Sequence, residues 1–306
     1  MSDILYCVTC ISNPQRYKSR YDLYRNFANY IAKFPNVILY TVELAFGGRD
    51  FEITDSSNPC HIQVRSDQEI WHKENLLNIG ISRLPQEAKY VAWLDADISF
   101  TNPYWPEETI AQLQHYDFVQ MFSSYADLGP DYQVLSFTDS FIKSWIKNEE
   151  IIDQSYNGVK GATGLAWAAR KESLDKVGGL LDWCVVGSGD WHMAYCLIGK
   201  GFEIAQHWFS EGYKNLLKKY QKDCDTHVKC NVGYVNTSAF HYWHGPKSNR
   251  GYDWRWNILK DHNFDPVLDL NRDTQGVIRV REEKHGMLHK LRDYFISRKE
   301  DSTDLT

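Results

Sequence analysis

Three runs of almost unbroken apolar residues set the tightest bound on what this chain can fold into. They are ILYCVTC (4–10), NVILYTVELAF (36–46) and KYVAWLDADISF (89–100). Between them lie YDLYRNFANYIAKF (21–34) and QEIWHKENLLNIGISRLP (68–85), whose apolar residues recur at helical spacing. A strand of alternating character can leave one face in water, whereas a strand apolar throughout must be covered on both. The order strand–helix–strand–helix–strand therefore predicts an α/β fold, with a mostly parallel central sheet and helices on both faces.

The second half is less regular. TIAQLQHYDFVQMFS (109–123) reads as a helix feeding a strand, and residues 158–180 as loop, strand and helix with a stop at Gly178 and Gly179. GDWHMAYCLIGKG (189–201) reads as a helix opened by Ser188 or Asp190. Beyond about residue 265 the chain turns highly charged. With no internal repeat or low-complexity linker in view, the expected organisation is one domain over 1–265. A charged C-terminal extension, a peripheral helix and a frayed tail, completes the chain over 266–306.

The strand-like run YVAWL ends in two carboxylates, Asp95 and Asp97. In an open α/β sheet, ligands bind beyond the carboxyl ends of the strands. Two carboxylates this close repel each other unless a cation stands between them, and Mg²⁺ or Mn²⁺ would bridge them to a diphosphate. The competing explanation is a turn capped by Asp97 or Asn102. Later, AFHYWHGPKSNRGYDWRWNIL (239–259) sets His241, His244, Lys247, Arg250 and Arg255 among aromatic rings. A histidine here would serve as a further ligand and favour Mn²⁺ over Mg²⁺, while Lys247 and Arg250 would hold phosphate oxygens. Small residues at 161–164 let backbone approach a ligand closely. Asp190, after GSG, is either a helix N-cap or a general base facing an acceptor hydroxyl.

The formal net charge of -6 argues against blanket phosphate neutralisation, so an anionic ligand would need its own local counter-charges or a metal. The seven cysteines are odd in number, and Cys7-x-x-Cys10 lies within a strand and lacks a matching second pair for zinc. The opening MSDILYCVTCISN is no signal peptide, and no eighteen apolar residues follow one another. The expectation is a soluble, cytoplasmic protein with no transmembrane segment and reduced thiols.

Taken together, WLDADISF, GATGLAWAARKESLDKVGGL, GSGDWHMA and HYWHGPKSNR resemble, in this order and spacing, the GT-A-fold, metal-dependent glycosyltransferases. The resemblance is strongest to the family-2-like and galactosyltransferase-like members and covers roughly residues 4–260. It implies a nucleotide-sugar donor, a glycan, lipid-linked or other hydroxyl acceptor, and Mn²⁺ or Mg²⁺ as cofactor. It also implies Asp97 as the main metal-binding carboxylate, with Asp95 on the ribose or on the metal through water. His244 would be the third protein ligand, with His241 as the alternative, and Lys247 and Arg250 would bind the diphosphate. Thr9, Cys10, Ile11 and Glu43 would form the nucleobase and ribose pocket, with Lys73 and Asn75 touching the nucleotide. Asp190 matches the base of inverting members, and Gly164, Trp167, Trp183, Trp191 and His241 fall near the sugars.

Gly-Asp-Trp stands where many inverting relatives carry two adjacent acids, which leaves a retaining reaction open, with Asp190 on donor hydroxyls. Nucleotidyl transfer on the same fold would need a glycine-rich loop after the first strand, and no glycine precedes Gly47. A non-catalytic carbohydrate-binding protein is the alternative of a different class. A nucleic-acid acceptor, contacted through Lys214, Lys218, Lys219 and Lys222, is the minority alternative given the acidic net charge.

Overall fold

The computed structural model describes residues 3–147 and 160–305. The opening residues of the segment expected to span 158–180, and the ends of the chain, lie outside the described residues. The apolar runs are strands: β1 (Leu5–Ser12), α1 (Lys18–Ile31), β2 (Val37–Phe46), β3 (His61–Ser66), α2 (Lys73–Ile81) and β4 (Tyr90–Leu94) succeed one another in order. Next come β5 (Ile98–Phe100), α3 (Trp105–Leu113), β6 (Phe118–Gln120), β7 (Ser124–Leu128), β8 (Val134–Asp139) and α4 (Phe141–Ile146). Then come β9 (Ala166–Arg170), α5 (Lys171–Lys176), α6 (Gly189–Leu197), α7 (Glu211–His227), β10 (Val232–Tyr234) and β11 (Ser238–His241). The chain closes with α8 (Asn257–Asp261), α9 (Pro266–Asp269), β12 (Leu270–Arg272), β13 (Ile278–Val280) and α10 (His285–Ser297).

The large sheet has the order β10-β6-β9-β4-β1-β2-β3. Its pairs are parallel except those of β9, which runs antiparallel to both β4 and β6. β4 is buried at all five positions, as a strand covered on both faces must be. Val8, Val91, Trp93 and Trp167 pack into the core on one side of the sheet, and Cys7, Ala92 and Ala168 into the core on the other.

Residues 89–100 do not form the single strand the apolar run suggested. The chain breaks at Asp95–Asp97 and β5 joins a second, four-stranded sheet of order β5-β11-β7-β8. Two backbone bonds fix the crossing: the Asp95 N–H donates to Leu165 O at 2.8 Å, and the Tyr242 N–H donates to Asp97 O at 2.8 Å. The two aspartates thus lie at the seam between the sheets.

A helix, α10, is present, and the segment just beyond it is anchored, with Arg298 and Glu300 buried, before Thr303, Asp304 and Leu305 return to solvent. The Arg298 and Glu300 side chains turn inward to charged partners from α1 and the tail itself, which a solvated end could not offer. Among the described residues no helix is long and apolar enough to cross a membrane.

Candidate functional site

A cleft of about 540 Å³ opens over the carboxyl ends of β1 and β4, where ligands bind in open α/β sheets. One wall is built from the seam and the loop after β11, the other from α2, the loop before β9 and the start of α6.

On the first wall Asp97, His241 and His244 meet, all three buried, with one ligand atom from each lying within 4.8 Å of the others. His244 Nε2 stands 3.2 Å from Asp97 Oδ2 and 3.3 Å from His241 Nε2, and His241 Nε2 is 3.8 Å from Asp97 Oδ1. Two oxygen or nitrogen ligands at about 2.1 Å and a right angle from an ion lie about 3 Å apart, so the spacing suits a divalent cation.

The donor chemistry agrees. His241 Nδ1 lies 2.8 Å from Asp127 Oδ1, its directly paired residue on the neighbouring strand. Burial would raise the Asp127 pKa, but its bonds to His241 and Lys247 hold it well below the carboxylate range. An ionised carboxylate only accepts, so His241 donates through Nδ1 and turns Nε2 toward Asp97 and His244. That is the carboxylate–histidine pairing which orients metal-binding imidazoles.

Burial, with Arg20 and Arg250 beside it, pushes the His244 pKa far down and keeps the ring neutral. Arg250 donates to His244 Nε2 at 3.1 Å, so that nitrogen carries a lone pair. Asp97 Oδ1 is buried and has no hydrogen-bond partner among the described residues. A buried carboxylate oxygen left so is costly unless a cation completes it. These residues fit a hard or borderline divalent ion such as Mn²⁺. Turn capping does not describe the pair, because Asp97 faces histidines and Arg20, while Asp95 faces Lys73.

On the second wall, Lys73 from the first turn of α2 pairs with Asp95. Burial would lower the Lys73 pKa, but Asp95, Glu74 and Asp190 hold it above the usual lysine range. Glu74 is buried beside them and accepts from the Trp71 indole at 3.0 Å. Burial raises its pKa to about 7, Lys73 opposing and Asp190 reinforcing the rise.

Asp190 sits in the first turn of α6, but neither it nor Ser188 caps the helix through its side chain. The Asp190 carboxylate instead accepts from Thr163 at 3.4 Å and lies against Gly164, where a Cβ would stand 2.7 Å from Oδ2. The flanking Leu165 and Ser188 hold left-handed backbone, with φ of 74° each. Such strain persists where the surroundings over-determine it, and it gathers at functional sites.

Ile11, Cys10, Lys247 and Arg250 also line the cleft, as does Trp191, although its ring packs mainly on His192, Tyr195 and Trp256. Other candidates do not line this cleft. Thr9 is fully buried and donates to Leu94 O at 2.8 Å, tying β1 to β4. Glu43 spends its carboxylate on the N–H groups of Glu52, Ile53 and Thr54, closing the loop after β2. Asn75 holds the β12–β13 hairpin through Gly276 O and the Ile278 N–H. Trp167 is core, its indole donating to Thr163 O at 2.8 Å. Trp183 is half-buried against His192 and Tyr213, outside this cleft.

Four residues of the site, Asp127, Arg20, Glu74 and Glu300, do not stand out in the sequence. Asp127 has a signal, an acid inside the strand-like SSYADL, where a half-buried strand would hide an apolar residue. Arg20 and Glu300 belong to segments that look like ordinary solvated helix and tail.

No protein-family model matches the chain, and no match is found among curated proteins. Among solved structures it is similar to the catalytic domain of Drosophila beta1,4galactosyltransferase 7 in complex with xylobiose. The identity is 11%, covering 76% of this chain and 65% of that one, with a TM-score of 0.31. It is also similar to S. aureus TarS 1-349, at 12% identity over 97% of this chain and 89% of that one, with a TM-score of 0.39. A third is GalNAc-T7 with UDP, GalNAc and Mn²⁺, at 10% identity over 78% of this chain and 44% of that one, with a TM-score of 0.39.

Proposed function

We propose that this protein is a GT-A-like glycosyltransferase that moves a sugar from a nucleoside diphosphate sugar to an acceptor hydroxyl with the help of a divalent cation. The observation that carries this reading is the Asp97–His241–His244 set beside the carboxyl end of β4, with Asp127 orienting His241 and Asp97 Oδ1 left open. A bound Mn²⁺ would supply positive charge against the charge growing on the departing nucleoside diphosphate.

The chain's own residues then divide the work. Lys247 and Arg250, on the turn after His244, reach phosphate oxygens. Lys73 offsets the charge of Asp95 beside the donor. Asp190, seated against Gly164 on the opposite wall, takes the proton from the attacking acceptor hydroxyl if the reaction inverts. If the reaction retains configuration, the same carboxylate binds donor hydroxyls.

The test is Mn²⁺-dependent hydrolysis across a panel of nucleotide sugars, comparing wild type with Asp97→Ala. Slow release of a nucleoside diphosphate from one donor, abolished by the substitution, supports the reading and names the donor. No cleavage and no donor binding, with or without Mn²⁺, would overturn it in favour of a carbohydrate-binding protein.

A further inference from the structure

The tail after α10 is woven into the first wall of the cleft. Asp301 accepts from the Lys18 and Ser19 N–H groups at 2.9 and 2.7 Å, capping α1, whose own N-cap residue Tyr17 supplies no side-chain bond. Trp243 donates its indole N–H to Ser302 O at 2.7 Å. Gly245, at φ +88°, lets the tail lie flush on the loop that carries His244, since a Cβ there would meet Glu300 Cα at 2.9 Å.

These contacts deliver Glu300, which is buried, into a chain of charges: Arg298, Glu300, Arg20 and Asp97. Glu300 takes the Nε–Nη2 edge of Arg20, with Nη2 at 2.8 Å from Oε1, and also accepts from Arg298 Nε. With that edge held by Glu300, Arg20 meets Asp97 through Nη1 alone, at 3.3 Å from Oδ2, although Nη2 keeps a second N–H. An arginine free to choose would present two parallel N–H groups to a carboxylate and cover both its oxygens.

We infer that Glu300 is a positioning residue for the cation site, holding Arg20 to a single contact so that Asp97 Oδ1 stays open to the metal. This rests on the cation reading of the site given above. A guanidinium released from Glu300 would turn its two-pronged edge onto Asp97 and compete with the ion for the same oxygens.

The test is a titration of the full chain with Mn²⁺ alone, read by the EPR signal of the free ion. Wild type is compared with Glu300→Gln, Arg20→Gln and the double variant, each checked for folding by circular dichroism. Glu300→Gln is expected to weaken Mn²⁺ binding about 10- to 100-fold, the usual effect of losing an outer partner of a metal site. Arg20→Gln should bind at least as tightly as wild type. The double variant should match Arg20→Gln within about 2-fold, because Glu300 then has nothing to restrain.

Unchanged affinity in folded Glu300→Gln, or a double variant as weak as Glu300→Gln, would overturn the proposal. Should Glu300→Gln fail to fold, the double variant is compared with Arg20→Gln instead, since removing Arg20 as well leaves Arg298 as the one guanidinium that has lost Glu300. A gap of about tenfold between those two would overturn it. Wild type that binds no Mn²⁺ removes the cation reading and this inference with it. Wild type that binds Mn²⁺ but cleaves no nucleotide sugar overturns only the transferase assignment.

Discussion

Asp95 and Asp97 stand two residues apart, yet they meet different surroundings. The Asp95 side chain is 25% exposed and rests on one lysine, whereas that of Asp97 is 6% exposed and meets Arg20, His241 and His244. The difference comes from the seam. Asp95 still belongs to the end of the large sheet, where the cleft is open, while Asp97 is the last residue before β5 of the small one. A single sequence motif thus feeds two walls built on different principles. The Asp95 pairing is short-range, its lysine opening α2, the helix that leads into β4. The Asp97 wall is assembled from α1, β7, the loop after β11 and the tail.

The largest test of that contrast is to remove each carboxylate in turn. Asp97→Ala should lower Mn²⁺-dependent donor cleavage by about 10³-fold or more, as expected when a metal-binding carboxylate is lost. Asp95→Ala should cost about 10- to 100-fold, the lesser effect of an outer or water-mediated partner. Equal losses in kcat/KM would erase the distinction between the walls.

The second wall carries a pH signature. Folding raises the Glu74 pKa from about 4.5 to about 7, so the unfolded chain ionises first as pH rises. Glu74 therefore contributes most to stability below about pH 4.5, and that contribution is lost as pH climbs to about 7. At about 1.4 kcal/mol per pK unit, Glu74→Gln should gain on the order of 3 kcal/mol over wild type at about pH 8, with little gain at about pH 4. Paired denaturant melts at the two values check this, and a pH-independent difference would contradict it.

Next in size is Asp127→Asn. The amide can still present its oxygen to His241 but holds the imidazole dipole less strongly, and Mn²⁺ affinity should drop about 10-fold while the melting temperature moves little. A fall in stability without any change in affinity would make Asp127 a packing residue.

Smallest is Gly245→Ala. Its left-handed backbone and the Glu300 contact predict a loss of about 1–2 kcal/mol, read by urea unfolding. At Gly164 the added Cβ meets only the Asp190 side chain, so Gly164→Ala should spare stability and reduce turnover instead.

The large sheet was legible because continuous apolar runs have only one comfortable home, and the two aspartates were legible because they end such a run. His241, His244, Lys247 and Arg250 could be read as a cluster since one short loop carries them all. The hidden part of the site depends on distance along the chain. Arg20 continues the buried stripe of α1, four residues before Tyr24 and seven before Phe27, but nothing local says that it turns to Asp97, or that Glu300 returns 280 residues later to hold it. Glu43 shows the reverse dependence: an acid at a strand end looks free until the loop that bonds its oxygens is seen. Thr9 and Asn75 likewise have distant partners, their polar groups joining β1 to β4 and α2 to the C-terminal hairpin.

The pairing of His241 with Asp127 and Ile98 across β7, β11 and β5 has a further consequence. Side chains alternate along a strand, so one residue added to any of these three would turn a ligand or its partner away from the cleft while leaving every backbone bond satisfiable. The small sheet acts as a gauge that sets how His241 and Asp127 face each other. Grafting HYWHG onto another scaffold would carry the histidines without the ruler that aims them. Length changes in the turn between β7 and β8 leave the pairing of the three strands intact and reach the site only through β8, whose Ser136 donates to Asp127 at 3.0 Å.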